Sequence, residues 1–260
     1  MLLSWHHMIP SLVRFVAVFV CALALPHLGH AQAYPTTLGA TNTLTHSPYY
    51  YAGRISANFG LEGYIASGTV IKAKSVITCG HILWDVDYGW GTKIYFERAL
   101  YDSQRLGKYT PSSKYILSGY SSQVKAYGID SNQAFNRDLG TLNFTIAPAN
   151  GGHAGFWANP ALLNGSYTTM SLGYGGEWHN GSELLKCGPT GGGKYYRIYG
   201  TAYYGNDFYV IEGGMSGGPI FAKYGTAWYV CGVNVSGDYY GMGLHAFDAA
   251  ANTFIATYLY

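Results

Sequence analysis

The chain consists of many short runs of apolar or alternating residues, separated by turns rich in glycine and asparagine. Before its last few residues, no long stretch repeats with the helical period of about 3.6 residues. Short runs of this kind, bounded by turn residues, are typical of β-strands. Examples are residues 63–71, 75–78, 93–96, 139–144, 170–172, 195–199, 209–211, 219–221 and 228–235. Many short strands without intervening helices predict an all-β fold built from barrels or a sandwich.

Two further segments suggest how this β-rich chain is organised. Asn150-Gly151-Gly152 is typical of a junction between two halves. Asp248 is a favourable N-cap and predicts a C-terminal helix over residues 248–260. The apolar side of that helix would consist of Phe254, Ile255, Tyr258 and Leu259.

The N-terminus has the features of a secretory signal peptide. Arg14 precedes an apolar run over residues 15–25, and Ala31-Gln32-Ala33 follows as a small-residue cleavage site. Eleven apolar residues are too few to span a membrane. We therefore predict a signal peptide over residues 1–33, secretion to the extracellular space or periplasm, and no membrane association after cleavage. Residues 34–50, rich in Thr, Pro and Asn, are compatible with a propeptide, a linker or an ordered arm.

Charge and cysteine content exclude several classes of function. Loss of Arg14 with the signal leaves 14 basic against 13 acidic residues, which is no electrostatic footprint for nucleic acid or an anionic membrane. The mature cysteines are Cys79, Cys187 and Cys231, whose odd number allows at most one disulfide. Their spacing fits no zinc motif. We expect a monomer that needs no metal or organic cofactor and is held mainly by its hydrophobic core.

The strongest local motif surrounds Ser216. Residues 212–219 read Glu-Gly-Gly-Met-Ser-Gly-Gly-Pro and lead into an apolar strand. A serine hydroxyl is a weak nucleophile, so it needs a neighbouring base and donors aimed at the developing oxyanion. Glycines around the serine let the backbone turn sharply and point its amides at one spot. The alternative is an ordinary glycine-serine turn before a strand.

Two more segments supply partners for such a serine. His81 ends the run over residues 75–81, so it would lie at the rim of a sheet. Asp138 comes immediately before the strand over residues 139–144 and could orient an imidazole in a catalytic triad. Taken singly, a structural histidine and a turn-capping aspartate are the simpler interpretations. Together, the order His81, Asp138, Ser216 is one of the recurrent triad orders.

The three segments resemble those of the trypsin/chymotrypsin superfamily. Residues 65–81 correspond to its "SGTLI…VLTAAHC" pattern, Asp138 lies at its "DIAL" and Ser216 at its "GDSGGP". The resemblance implies two six-stranded antiparallel Greek-key barrels, at residues 51–150 and 151–247, with the active site between them. It also implies a serine endopeptidase that acts on proteins or peptides, with an oxyanion hole formed by the N–H groups of Gly214 and Ser216.

Some positions depart from the trypsin pattern. Met215 stands where the aspartate that pairs with a freed N-terminus would lie, so maturation should not use that ion pair. Ile82 replaces the cysteine after the histidine, and Cys79 replaces a small residue two before it. These departures, together with the Ser171–Gly176 segment, resemble the bacterial glutamyl-endopeptidase-like branch.

The resemblance also locates a substrate pocket. Asn234, Val235 and Ser236 would form one wall and Val210 the base, which argues against a preference for lysine or arginine at the first subsite. Glutamate-specific members carry a histidine at the position of Asn234, and His245 could partly substitute for it. We expect a first subsite for an uncharged or glutamate-like side chain.

A different class of function remains open from sequence. A catalytically inactive homologue, or a secreted glycan-binding β-protein, would use exposed aromatic rings instead of the triad. The candidate rings are Tyr49-Tyr50-Tyr51, Trp84, Trp90 and Tyr239-Tyr240.

Overall fold

The computed structural model describes residues 32–177, 179–238 and 241–260. All but the last two residues of the predicted signal peptide, and also Tyr239-Tyr240, lie outside the described residues. The strands are β1 (Thr36–Thr37), β2 (Ala52–Phe59), β3 (Glu62–Lys72), β4 (Ser75–Thr78), β5 (Trp84–Asp85), β6 (Gly89–Trp90), β7 (Thr92–Arg98), β8 (Gly107–Tyr109), β9 (Ser113–Ile116), β10 (Gly140–Asn143), β11 (Gly155–Phe156), β12 (Thr169–Gly173), β13 (Leu185–Thr190), β14 (Tyr196–Tyr199), β15 (Tyr203–Asn206), β16 (Pro219–Tyr224), β17 (Ala227–Asp238) and β18 (Gly241–Ala246).

Helices are few and short. They are α1 (Ala40–Thr45), α2 (Tyr120–Tyr127), α3 (Asn132–Phe135) and α4 (Ala249–Tyr258), with 3-10 turns at Tyr49–Tyr51 and Pro160–Leu163. In the described ranges, no helix has the length and apolar character needed to cross a membrane.

The strands form two large sheets and one small hairpin, β5-β6. The first sheet has the order β8-β7-β2-β3-β4-β10-β9, and the second has β1-β13-β12-β16-β17-β18-β15-β14, with β11 paired to β17. Every described pair is antiparallel except β11 with β17. The all-β, two-barrel prediction is therefore confirmed, but the sheets have seven and nine strands because short edge strands extend them beyond six.

Most predicted strands lie inside observed ones, and two features differ. Residues 209–211 form no strand, because Tyr209 makes only an isolated bridge to Ala33. Helix α2, which the periodicity did not predict, starts after Gly119 at φ 91° and buries only Tyr120 and Val124. An eight-residue helix with two buried positions leaves little pattern in the sequence.

Residues 33–38 are an ordered arm along the second sheet. Ala33 donates to the Phe208 carbonyl at 2.7 Å and accepts from the Val210 amide at 3.2 Å. Thr36 and Thr37 pair with β13. The segment therefore extends the second sheet.

The C-terminal helix joins the two sheets. The Asp248 side chain caps it by accepting from the Ala251 amide at 2.9 Å, as predicted. Phe254 and Ile255 are buried in a core cluster that includes residues of both sheets. Tyr258, placed on the apolar side by the sequence pattern, is instead partly exposed and stacks on Tyr115. This continuous core fixes the loops of one sheet against those of the other.

Candidate active site

His81 lies three residues beyond the end of β4, at the rim of the first sheet. Its Nδ1 is 2.6 Å from Oδ2 of Asp138. The residue before it must be small, because a Cβ on Gly80 would come within 3.1 Å of Oδ1 of Asp138. The imidazole is 23% exposed, so it keeps an open edge toward the cleft.

Asp138 is the buried partner that orients this imidazole. Its carboxylate is 1% exposed and lies just before β10. Besides the contact to Nδ1, Oδ1 accepts from the amides of Gly80 at 2.6 Å and His81 at 2.9 Å. Three donors on one buried carboxylate fix both the backbone and the ring of His81.

The environment of His81 raises its basicity. Burial by itself lowers the pKa of His81, because it penalises the imidazolium, but the Asp138 carboxylate and, to a smaller extent, Cys79 act in the opposite direction. The net result is a pKa well above the ordinary histidine value of 6.5. A base with a raised pKa accepts a proton readily once it is in its neutral form.

Ser216 lies in a tight loop that contacts both sheets. Gly214 and Gly217 have φ angles of 96° and 77°, which L side chains rarely adopt. The Ser216 carbonyl accepts from the Ser67 amide at 2.7 Å, and the Ser67 hydroxyl donates to the Gly214 carbonyl at 2.8 Å. Ser67, on β3, thus ties the first sheet to the serine loop. The sequence analysis did not identify this role.

Two backbone amides of this loop are free to act as donors. In the described part of the chain, the N–H groups of Gly214 and Ser216 have no acceptor, whereas those of Met215, Gly217 and Gly218 are bonded. Unpaired N–H groups flanking a partly exposed serine are what an oxyanion hole requires.

Cys79 occupies the contact that a triad would give to Ser216. Its buried Sγ lies 3.5 Å from Nε2 of His81, and among the described residues His81 makes no hydrogen bond with Ser216. Potential metal-ligand atoms of Cys79, His81 and Asp138 lie within 4.8 Å of one another. Because both Asp138 oxygens accept hydrogen bonds, this carboxylate holds the imidazole rather than offering a free ligand. Cys79, Cys187 and Cys231 are all unpaired.

His81 and Ser216 face two cavities, one on each side. The first has about 370 Å³ and is also lined by Phe59, Tyr64, Ile65, Ile82, Asp85, Tyr88, Ile129 and Gly214. The second has about 270 Å³ and is also lined by Ile129, Asp130, Phe135, Ile211, Glu212, Gly213, Val235, Ser236 and Gly237. Together they form one cleft with the serine and the histidine at its centre.

Comparison with known proteins gives structural likeness only. No family model and no curated protein matches the chain. A protease, Anisep, from Arthrobacter nicotinovorans matches with a TM-score of 0.66 at 21% identity, over 82% of this chain and 96% of its own. The thermostable serine protease AL20 from an extremophilic microorganism matches with a TM-score of 0.63 at 20% identity, over 78% of this chain and 94% of its own. A Glu endopeptidase solved in complex with MPD matches with a TM-score of 0.66 at 19% identity, over 86% of this chain and 95% of its own.

The chain has the serine-protease fold. In this fold, the structure places His81 and Ser216 in one cleft, Asp138 buried behind His81, and Val235 and Ser236 in the wall of the second cavity. Met215 is fully buried in an apolar cluster of the second sheet.

Three residues expected in the substrate pocket lie elsewhere. Asn234 is fully buried: Nδ2 donates to the carbonyls of Leu172 and Met215, and Oδ1 accepts from the Ser171 hydroxyl. Val210 is also fully buried and lines neither cavity at Ser216. The placement of these side chains in the pocket is therefore corrected, because their groups serve the interior of the second sheet.

His245 is the third of these residues. It is fully buried on β18, where Nδ1 lies 3.3 Å from the Phe135 carbonyl. Burial lowers its pKa, which favours the neutral imidazole. His245 therefore supplies no positive charge to a substrate carboxylate, and neither described cavity at Ser216 contains a lysine or an arginine.

Sequence reasoning also missed the pair formed by the buried Glu212 and the partly exposed His179. Nδ1 of His179 lies 2.5 Å from Oε1 of Glu212, whose side chain is fully buried. The pair fixes the start of the serine loop, because Glu212 is four residues before Ser216. A lone histidine in a glycine-rich stretch gave no sign of this contact.

Proposed function

We propose that this chain is a secreted serine endopeptidase in which Ser216 is the nucleophile, His81 the general base and Asp138 the group that orients His81. The observation that carries the proposal is the bonded His81–Asp138 pair beside Ser216, at the centre of a cleft in a serine-protease fold. The signal-peptide pattern supports export, and the likeness to serine proteases supports a protein or peptide substrate. The proposed enzyme is a monomer and uses no cofactor.

The proposed reaction is acyl transfer. Ser216 Oγ attacks the scissile carbonyl while Nε2 of His81 takes its proton, and Asp138 holds the resulting imidazolium. The free N–H groups of Gly214 and Ser216 stabilise the oxyanion. His81 then protonates the leaving amine, and water hydrolyses the acyl-enzyme with His81 again as base.

One adjustment is needed before the first step. Nε2 faces Sγ of Cys79 at 3.5 Å, so the imidazole must turn its free edge toward Ser216 when substrate enters. Hydrogen bonds of unliganded active sites are often loose and tighten only in the substrate complex. The Asp138 contact acts as the pivot because it lies on the opposite side of the ring.

The same contact favours a second candidate, a catalytically inactive homologue. An imidazole held on Cys79 would leave Ser216 without its base. The glycan-binding version of this alternative has weaker support, because Trp84 is only partly exposed and packs edge-on against Tyr120. Trp90 is also less available for stacking on a sugar, because Nζ of Lys114 lies over one face of its ring.

Labelling with a fluorophosphonate separates these functions. We expect the folded mature protein to be labelled and to hydrolyse casein, and Ser216→Ala to lose labelling and at least about 10⁴-fold in kcat. Ser122→Ala, at an exposed serine on α2, is the matched control and should behave as wild type. Absence of labelling in wild-type protein, together with tight polysaccharide binding, would overturn the proposal in favour of the alternative.

A further inference from the structure

The cleft continues beyond Ser216 into an outer pocket. This pocket has about 360 Å³ and shares Asp130, Phe135, Ser236 and Gly237 with the second cavity. The two cavities are therefore adjacent. An extended peptide advances about 3.3 Å per residue. A peptide that reaches Ser216 along this wall would place in the outer pocket a side chain about two to four residues from the scissile bond.

This region carries several carboxylates. Asp130 is exposed, lies where the two cavities meet, and has no ion-pair partner in the described part of the chain. Asp207, in the outer pocket, is exposed and accepts from the Tyr196 hydroxyl at 2.8 Å. Asp85 contributes a further carboxylate to the first cavity.

Of the described residues, the catalytic His81 is the only basic side chain that lines these cavities. Among the described residues, no lysine or arginine lines the outer pocket or either cavity at Ser216. The whole chain carries 15 basic and 13 acidic residues, so this acidity is local. Charges of one sign in a cleft with low-dielectric walls act together and raise the local concentration of oppositely charged ligands.

A buried amide in the same pocket also indicates a ligand. Asn206 is fully buried, and its Oδ1 accepts from the amides of Phe208 and Tyr209. Its Nδ2 has no hydrogen-bond partner in the described residues. A buried donor without a partner is costly unless a ligand or water satisfies it. A peptide carbonyl in the outer pocket would supply the acceptor.

We infer that the cleft selects polypeptides with a lysine or arginine about two to four residues from the scissile bond, attracted by Asp130 and Asp207. The inference rests on the proposed endopeptidase function and specifies its substrate class. It differs from the first-subsite expectation, since it concerns the outer pocket and excludes glutamate there by charge repulsion.

Matched peptides test the preference. A series that carries Lys, Gln or Glu at each position near one cleavage site should show a single position where kcat/KM falls from Lys to Gln to Glu. Solvent-exposed charge pairs of this kind give about two- to five-fold per contact. The Lys/Gln ratio should also shrink when ionic strength is raised from about 0.05 to about 0.5 M.

Variants assign the effect to the two carboxylates. Asp130→Asn and Asp207→Asn should each lower the Lys/Gln ratio by about two- to five-fold, and Asp130→Lys should invert the order so that Glu is preferred. The control is Asp102→Asn, because Asp102 is exposed and lines none of the three cavities.

Two outcomes separate this inference from the proposed function. Fluorophosphonate labelling and peptide cleavage with equal rates for Lys and Gln, or with an unchanged ratio in the variants, would overturn the inference alone. Neither labelling nor cleavage of any peptide would overturn the proposed function, and the inference with it.

Discussion

Replacing Asp138 by asparagine tests the proposed triad at its most constrained residue. Oδ1 accepts from the amides of Gly80 and His81, whereas Oδ2 contacts Nδ1 of His81. Because only an oxygen can accept from the two amides, the asparagine must place its NH₂ group against Nδ1. Nδ1 then becomes an acceptor, and the ring proton moves to Nε2, the atom that has to take the proton of Ser216.

The expected loss is large because the wrong tautomer blocks the first step. Triads that lose this carboxylate in the same way fall by about 10⁴-fold in kcat, equivalent to about 5.4 kcal/mol. The fold itself should survive, since an isosteric side chain keeps the two backbone contacts. Circular dichroism should therefore show a native spectrum for an enzyme with little activity.

The pH dependence gives a second readout. In the wild type the pKa of His81 is well above 6.5, so the acid limb of kcat/KM should lie above pH 6.5. In Asp138→Asn the lowering effect of burial is no longer offset by the carboxylate, and the limb should move below pH 6.5. The pKa of His81 is higher in the folded than in the unfolded chain. The His81–Asp138 pair therefore stabilises the fold fully below about pH 6.5, and this stabilisation is lost as pH rises through the folded-state pKa of His81.

The measurement is a kcat/KM profile of the wild type, Asp138→Asn and the surface control Asp102→Asn. Urea unfolding at several pH values should show a stability gap between wild type and Asp138→Asn that narrows toward alkaline pH. An Asp138→Asn variant with near-wild-type kcat and an unshifted acid limb would refute the role given to Asp138.

Three further substitutions probe how the serine loop is held. Gly218→Ala would place a Cβ 2.0 Å from the carbonyl oxygen of Leu172, so we expect misfolding or several kcal/mol lost in thermal unfolding; a wild-type Tm would contradict this. Ser67→Ala removes the hydroxyl that donates to the Gly214 carbonyl. It should lower the free energy of unfolding in urea by about 1–3 kcal/mol, and it should lower kcat because the oxyanion amides are held less firmly. An unchanged kcat would exclude a link between Ser67 and these amides. Asn234→Leu should cost about 2–4 kcal/mol without altering the peptide-cleavage profile, and a changed preference at the first subsite would restore this residue to the pocket.

The parts of the fold that could be predicted from sequence are the segments next to His81 and Ser216, where a local residue pattern also carries a functional residue. The strand pattern before His81 matches β4 and most of β3, because short apolar runs bounded by turn residues are typical of buried strands. The glycine pattern around Ser216 was equally informative, since Gly214 and Gly217 adopt left-handed φ angles. Contacts between distant segments could not be predicted, and they include the Ser67 link to the serine loop and the Glu212–His179 pair.

The pocket residues show why an aligned position does not fix the direction of a side chain. In a regular strand, successive side chains point to opposite faces. Strand β17 instead has a register shift opposite β18 between Asn234 and Ser236. Such a bulge redirects side chains, and Val235 and Ser236 both line the second cavity while Asn234 bonds inside the sheet. A histidine at this position would have to displace the bonds that Asn234 makes. We therefore expect specificity in this chain to depend on the cleft's carboxylates rather than on that strand position.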